Sequence, residues 1–183
     1  MKEFIKSIFA GIMIGIAAIV KSQIPNPVVG SIMFSIGLLV IVLCEYNLYT
    51  GKIGYIKSYK EIPKYIIYII GNFIGVYLTT FTIDIENKDI ILAKMLNPTY
   101  LIFIKSIGCG FLMYVAVDIY KKHKNILGIV SCVPAFLLAG YEHSIADMFY
   151  ICISHIYNLQ TLYFITIVII GNAIGAILHK LIK

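Results

Sequence analysis

The sequence is a succession of apolar runs, most of them close to the length of a membrane-spanning helix, separated by short stretches that hold most of the lysines. An α-helix needs about 20 predominantly apolar residues to cross the hydrocarbon core of a bilayer. Of the 183 residues, 60% are hydrophobic and 13% are charged, and the mean hydropathy is +0.92. This pattern predicts an all-α integral membrane protein.

Six transmembrane helices are expected from these runs. Their approximate bounds are residues 4–20, 28–48, 64–82, 100–120, 126–152 with an interruption, and 160–179. The longest loop on the outer side, about residues 84–98, is too short for a separate domain. Residues 1–183 are therefore predicted to form a single transmembrane domain.

The lysines predict how the chain is oriented. If the N-terminus is inside, the loops on that side hold lysines 2, 6, 52, 57, 60, 64, 121, 122, 124, 180 and 183, and the other side holds lysines 21, 88, 94 and 105. Because lysine is enriched on the cytoplasmic side of membrane proteins, we predict a multi-pass plasma-membrane protein with both termini in the cytoplasm. The lysines form no single patch, so the net charge of +6 does not indicate a nucleic-acid partner.

Cysteine and histidine positions bear on cofactors. The four cysteines, at positions 44, 109, 132 and 152, lack the paired spacing of a zinc site or a disulfide framework. A haem-binding membrane subunit is one alternative class, but of the four histidines only His143 is expected at mid-depth. We predict no metal, no cofactor and no enzymatic activity, and an absorption spectrum of the purified protein would test the haem alternative.

The two halves of the chain repeat each other. The segment IKSI at residues 5–8 recurs at 104–107, and GNFIG at 71–75 recurs as GNAIG at 171–175. Three spans per half is an odd number, so the second half, about residues 99–183, must be inverted relative to residues 1–98. Inverted repeats with interrupted helices at matching positions build the binding sites of many transport proteins. We predict a 3+3 inverted repeat in which helices two and five are each broken at their middle.

A polar stretch marks each predicted break. Residues 139–148, AGYEHSIADM, place a carboxylate, an imidazole and a hydroxyl next to one another between apolar runs, and residues 44–51, CEYNLYTG, occupy the matching place in the first half. Ionisable groups at membrane depth usually line a pathway, although a polar hinge that only caps two half-helices is the structural alternative. Helix N-termini at such breaks favour an anion, and Thr50 and Ser144 can add hydroxyl donors.

Large apolar residues precede or lie within these stretches and are candidates for constrictions that exclude water and bulky solutes. They are Phe34, Leu38, Leu48 and Phe136; at helical spacing, ordinary core packing is the alternative interpretation. A bare anion meets a large desolvation cost in an apolar constriction, whereas the neutral acid does not. Because histidine changes charge near neutral pH, we predict that His143 supplies the proton or offsets the charge. A neutral channel for water, glycerol or ammonia is the alternative function.

These residues resemble the formate/nitrite transporter family over a stretch from Ile5 to about Leu178. The motifs that carry the resemblance are FSIGL at 34–38, LYTG at 48–51, GN at 71–72, GYEHSIADMF at 140–149 and GN at 171–172. The resemblance implies an aquaporin-like protomer of six helices, a homopentamer in the lipid bilayer with one pore per protomer, and passage of small monovalent weak-acid anions such as formate, nitrite or hydrosulfide.

The resemblance also implies residue roles. His143 is the central pore histidine, Thr50 is its partner, Lys94 is the basic residue of the outer vestibule, and Phe34, Leu38, Leu48 and Phe136 are hydrophobic gates. Lys94 would raise the local concentration of anions. The structural loop residues are Asn47, Gly51, Gly140 and Glu142, the last expected to bind loop N–H groups. The sequence departs from the family where Asn47 replaces a usual glutamate, with Glu45 as the nearest carboxylate in sequence, and where Gly110 replaces a usual polar residue.

Overall fold

The structure, a computed structural model, describes residues 1–84 and 88–181. The α-helices are α1 Lys2–Gln23, α2 Pro27–Leu43, α3 Tyr49–Lys52, α4 Ile62–Thr80, α5 Asp89–Met95, α6 Thr99–His123, α7 Leu127–Leu138, α8 Ser144–Ser154 and α9 Leu159–Leu181. Two 3-10 turns, Ile53–Tyr55 and Tyr59–Glu61, connect α3 to α4. No strand occurs in these two described ranges, in agreement with the predicted all-α class.

Four helices in the described residues are long and apolar enough to cross a membrane: Lys2–Gln23, Tyr59–Thr80, Thr99–His123 and Leu159–Leu181. They correspond to the first, third, fourth and sixth predicted spans. Helices α2, α7 and α8 are apolar but shorter, because the second and fifth predicted spans are each divided. The second span was predicted to be helical as far as residue 48 and broken at its middle, but α2 ends at Leu43 and a non-helical stretch follows. Helix α5 lies where only a loop was predicted.

Helices α2 and α7 end with the same hydrogen-bonded turn. Glu45 and Gly140 have positive φ angles of 55° and 65°, and the residue after each donates back across the turn. The N–H of Tyr46 bonds the carbonyl of Ile41, and the N–H of Tyr141 bonds the carbonyl of Phe136, both at 2.9 Å. This is the Schellman motif, in which a left-handed residue satisfies the last carbonyl groups of a helix. Glycine adopts this conformation without strain, whereas Glu45 does so at a cost of about 1 kcal/mol.

One buried asparagine holds the first break in place. The Asn72 side chain in α4 donates from Nδ2 to the carbonyl oxygens of Ser7, at 2.7 Å, and Asn47, at 2.9 Å. Its Oδ1 accepts the N–H of Tyr49, the first residue of α3, at 2.9 Å. These three bonds join α1, α4 and the start of α3.

Asn172 in α9 makes the corresponding three bonds in the second half. Its Nδ2 donates to the carbonyl oxygens of Ser106, at 2.8 Å, and Glu142, at 2.9 Å. Its Oδ1 accepts the N–H of Ser144, the first residue of α8, at 2.9 Å. Asn47 and Leu48 in the first break thus correspond in position to Glu142 and His143 in the second.

Glycines allow the helix pairs α1–α4 and α6–α9 to approach closely. A Cβ atom added at Gly11 would lie 2.0 Å from the carbonyl oxygen of Asn72, and one added at Gly110 would lie 2.1 Å from that of Asn172. Contacts this short with backbone atoms exclude any side chain. This close approach is a physical reason for glycine at position 110.

Candidate functional site

The two helix breaks meet at a buried polar pair. Thr50 lies in the short helix α3, and His143 is the residue immediately before α8. Thr50 Oγ1 lies 2.9 Å from His143 Nε2, and both side chains are buried. The structure therefore brings together two predicted site residues from opposite halves of the chain.

The hydrogen bonds of His143 determine which ring nitrogen carries its proton. Nδ1 accepts the N–H of Ala146 at 3.0 Å and so caps the N-terminus of α8. A neutral imidazole that accepts at Nδ1 carries its hydrogen on Nε2, so Nε2–H donates to Thr50 Oγ1. The hydroxyl hydrogen of Thr50 is then free to point at another acceptor. The pair presents a hydroxyl donor that His143 orients.

Four apolar residues were predicted to form constrictions, and all four are buried. The Phe136 ring stacks on the His143 ring with a centroid distance of 5.6 Å and an interplanar angle of 14°. Leu38 and Leu48 border a cavity, described next, whereas Phe34 packs in the core within α2. Phe136 thus gives the polar pair an apolar neighbour.

A cavity of about 380 Å³ lies at the end of the bundle where α1 begins, and we call it the terminal cavity. Leu38, Leu48 and Gly51 border it on the side of the polar pair, and its charged lining residues are Glu3, Lys6, Glu45, Lys52, Lys121 and Lys124. Four lysines against two glutamates make this cavity attractive to anions.

Asn47 connects Lys52 of this cavity to a carboxylate. Its Oδ1 accepts a hydrogen bond from Lys52 Nζ, and its Nδ2 donates to Glu3 Oε2 at 3.0 Å. Tyr68 also donates to Glu3 Oε2, at 2.7 Å. Glu45 is the nearer carboxylate in sequence, but the one that reaches Asn47 comes from Glu3 in α1.

On the other side of the polar pair, Lys94 of α5 binds two carboxylates. Its Nζ contacts Glu142 Oε2 and lies 2.9 Å from Asp147 Oδ1. The Lys94 side chain is 21% exposed, against 2% and 1% for Glu142 and Asp147, so solutes can reach only the lysine readily. Burial alone would lower the pKa of Lys94, but the nearby charges of Asp147 and Glu142 raise it above its usual value. Lys94 therefore stays charged near neutral pH.

Sequence reasoning did not single out Asp147 and assigned Glu142 a structural role in the loop. In the structure both belong to the Lys94 cluster. The signal was present in the motif, since Asp147 follows His143 by four residues and therefore lies one helical turn further on. Its lysine partner on α5 is far away in sequence and has no local signature.

The remaining predicted residues lie at the two breaks. Ser144 begins α8, and its backbone N–H bonds Asn172. Its Oγ is buried and has no hydrogen-bond partner among the residues that the structure describes. Gly140 supplies the left-handed turn after α7.

The site is thus a buried hydroxyl–imidazole pair in a bundle of apolar helices, with lysine side chains at Lys94 and in the terminal cavity. The model of the family described as "Formate/nitrite transporter" matches residues 1–182. The chain therefore belongs to the formate/nitrite transporter family, which confirms the resemblance found in its motifs.

Solved structures support the same fold. The chain is similar to a protein described as "FNT family ion channel", with 22% identity, a TM-score of 0.84, and coverage of 96% of this chain and 86% of that chain. It is also similar to a "Pentameric formate channel with formate bound", with 18% identity, a TM-score of 0.80, and coverage of 99% and 94%. Comparison with curated protein sequences gives no significant match.

Proposed function

We propose that this protein passes small monovalent anions of weak acids, of the formate, nitrite or hydrosulfide type, across the plasma membrane through the Thr50–His143 pair. The observation that carries the proposal is the 2.9 Å contact between these two side chains. The N-terminus of α8 begins beside this pair at Ser144. The N–H groups of Ser144 and Ala146 already bond Asn172 and His143, but the partial positive charge of this helix N-terminus favours an anion over a cation.

Lysine side chains on both sides of the pair support an anionic solute. Lys94 lies on one side, and the four lysines of the terminal cavity lie on the other. Attraction by such lysines raises the local anion concentration at each mouth. The apolar residues between them then favour transfer of the neutral acid, since a bare anion loses its hydration there.

The hydrogen bonds of His143 favour a neutral role at the centre. A second proton would have to be placed on Nδ1, which already accepts the N–H of Ala146. Protonation would therefore break the cap of α8 and place a positive charge at a helix N-terminus, where a cation is unfavourable. In this proposal His143 orients the Thr50 hydroxyl, and the anion receives its proton elsewhere.

We also propose the finer features of the assembly. Matching bonds at Asn72 and Asn172 support the 3+3 inverted repeat. Exposed apolar side chains on the helices and the pentameric state of the similar formate channel support a homopentamer in lipid. The distribution of lysines along the chain supports cytoplasmic termini.

Anion flux into proteoliposomes tests the proposal. The parent protein is expected to carry formate or nitrite, while Thr50→Val, which keeps the side-chain shape and removes the hydroxyl, is expected to lose that flux. Thr79→Val is the matched control, because the Thr79 hydroxyl is buried and, among the described residues, donates to Val76 O of its own helix. A parent protein that conducts water or glycerol and no anion would support the neutral channel instead.

A further inference from the structure

The Lys94 cluster holds more negative than positive charge in a buried place. Lys94 supplies one positive charge, and Glu142 and Asp147 supply two negative charges when both are ionised. Both carboxyl groups are almost completely shielded from solvent. An uncompensated buried charge is costly, and two neighbouring carboxylates commonly reduce that cost by binding one proton. A single proton would make this cluster neutral.

The lack of a hydrogen-bond donor to one oxygen of Asp147 also indicates a bound proton. Its Oδ1 pairs with Lys94, but its buried Oδ2 has no hydrogen-bond donor among the described residues. Glu142 Oε2 and Asp147 Oδ1 both contact Lys94 Nζ, so the two carboxyl groups are neighbours. Two carboxylates cannot hydrogen-bond each other, because each only accepts, whereas one carboxylic acid can donate to the other. A shared proton satisfies Oδ2 and the excess charge together.

The other groups around Asp147 do not supply this proton. Cys109 of α6 and Tyr150 of α8 lie near this cluster, with the Tyr150 ring centroid 5.8 Å from Lys94 Nζ, but a thiol and a phenol are ordinarily neutral near pH 7. His143, one turn earlier, donates its only N–H to Thr50. Lys94 already contacts both carboxyl groups.

We propose that Asp147 is the proton-carrying acid of this pathway, sharing one proton with Glu142 and transferring it to an anion bound at Lys94. In this step the O–H bond of the Asp147 carboxylic acid breaks, and an O–H bond forms on formate or nitrite, or an S–H bond on hydrosulfide. The neutral acid HA then moves on toward the Thr50–His143 pair. Asp147 is left as a carboxylate beside Lys94 and is reloaded by a hydronium ion from the vestibule water. This inference rests on the proposed anion transport and assigns its proton source.

Infrared spectroscopy of the purified protein tests the shared proton independently of transport. The parent is expected to show the carbonyl band of a protonated carboxylic acid near neutral pH. Asp147→Asn is expected to lose the band, and Glu142→Gln is expected to lose it too, because Lys94 and Asp147 alone are neutral without a proton. Asp118→Asn is the control, since Asp118 pairs with Lys122 away from this cluster and should leave the band unchanged.

Formate flux into proteoliposomes tests what the proton does. In the parent, flux should rise as the external pH falls, and in Asp147→Asn that rise should be lost while Asp147→Glu restores it. If Asp147→Asn does not fold, the infrared band of Glu142→Gln still tests the shared proton, and the flux of Asp147→Glu still tests the proton transfer. No anion flux in the parent would defeat the proposed function but leave the infrared result standing. Retention of both the band and the pH response in Asp147→Asn would overturn this inference.

Discussion

The Asn172 side chain hydrogen-bonds three buried backbone groups, as Asn72 does in the first half. In Asn172→Ala, two buried backbone groups lose their partner, the carbonyl of Glu142 and the N–H of Ser144. The carbonyl of Ser106 keeps its hydrogen bond within α6 and loses only a second one. Each buried polar group left unpaired costs about 1–3 kcal/mol. We therefore expect the free energy of unfolding to fall by roughly 2–4 kcal/mol for the two groups, at the lower end of the range per group because water can enter the space left by the side chain.

Unfolding of the detergent-solubilised protein, followed by circular dichroism over a denaturant series, measures this loss. Asn72→Ala should show a loss of similar size, since Asn72 makes the same three bonds in the first half. Asn125→Ala is the control. Asn125 is exposed and bonds one N–H, that of Leu127, at a helix start, so its loss should be about 1 kcal/mol. Equal, small effects in all three variants would refute the reasoning.

Three further predictions test other parts of the account. Gly110→Ala should lower the free energy of unfolding by about 1–3 kcal/mol or more, because the added Cβ clashes with the backbone of Asn172. Gly140 has open space around it, so Gly140→Ala should cost only about 1 kcal/mol of backbone strain. Thermal unfolding of both variants distinguishes the steric clash from the backbone strain. Glu3→Ala should destabilise the protein by removing the acceptor of Asn47 and Tyr68, and Glu3→Gln, which keeps an acceptor oxygen, should unfold closer to the parent. Lys94→Gln should reduce formate flux most at low salt, where attraction is least screened, and equal reduction at all salt concentrations would argue against anion capture.

The meeting of the two breaks was accessible from the sequence for a physical reason. Polar residues are rare in the membrane interior, so the polar segments CEYNLYTG at 44–51 and GYEHSIAD at 140–147 are distinct from the apolar runs around them. The recurring Gly-Asn pairs at 71–72 and 171–172 indicated a repeat, and in the structure each asparagine of these pairs anchors one break. Repetition and rarity together predicted that the two breaks form the site, whereas the pairing of Thr50 with His143 was implied by the family resemblance.

The partners of the charged residues could not be predicted in the same way. Glu3 reaches Asn47 across 44 residues of sequence, and Lys94 reaches Glu142 across 48. Such contacts depend on how helices pack and leave no local pattern. The end of α2 was placed too late because no glycine marks it, and Glu45 takes the left-handed position instead. Helix α5 has a weak signal, the buried pair Ile91 and Met95 at helical spacing, within a stretch of mixed character.

The pH profile of formate flux through His143→Asn tests the neutral role of the central histidine most directly. Asparagine can cap α8 and can donate a hydrogen bond, but it cannot change charge. If His143 only orients Thr50, the variant should carry formate at a reduced rate with the same relative pH dependence as the parent between about pH 5 and 8, the range in which an unperturbed histidine titrates. Loss of that pH dependence in His143→Asn would contradict the account. It would show that the imidazole of His143 supplies the proton to the anion.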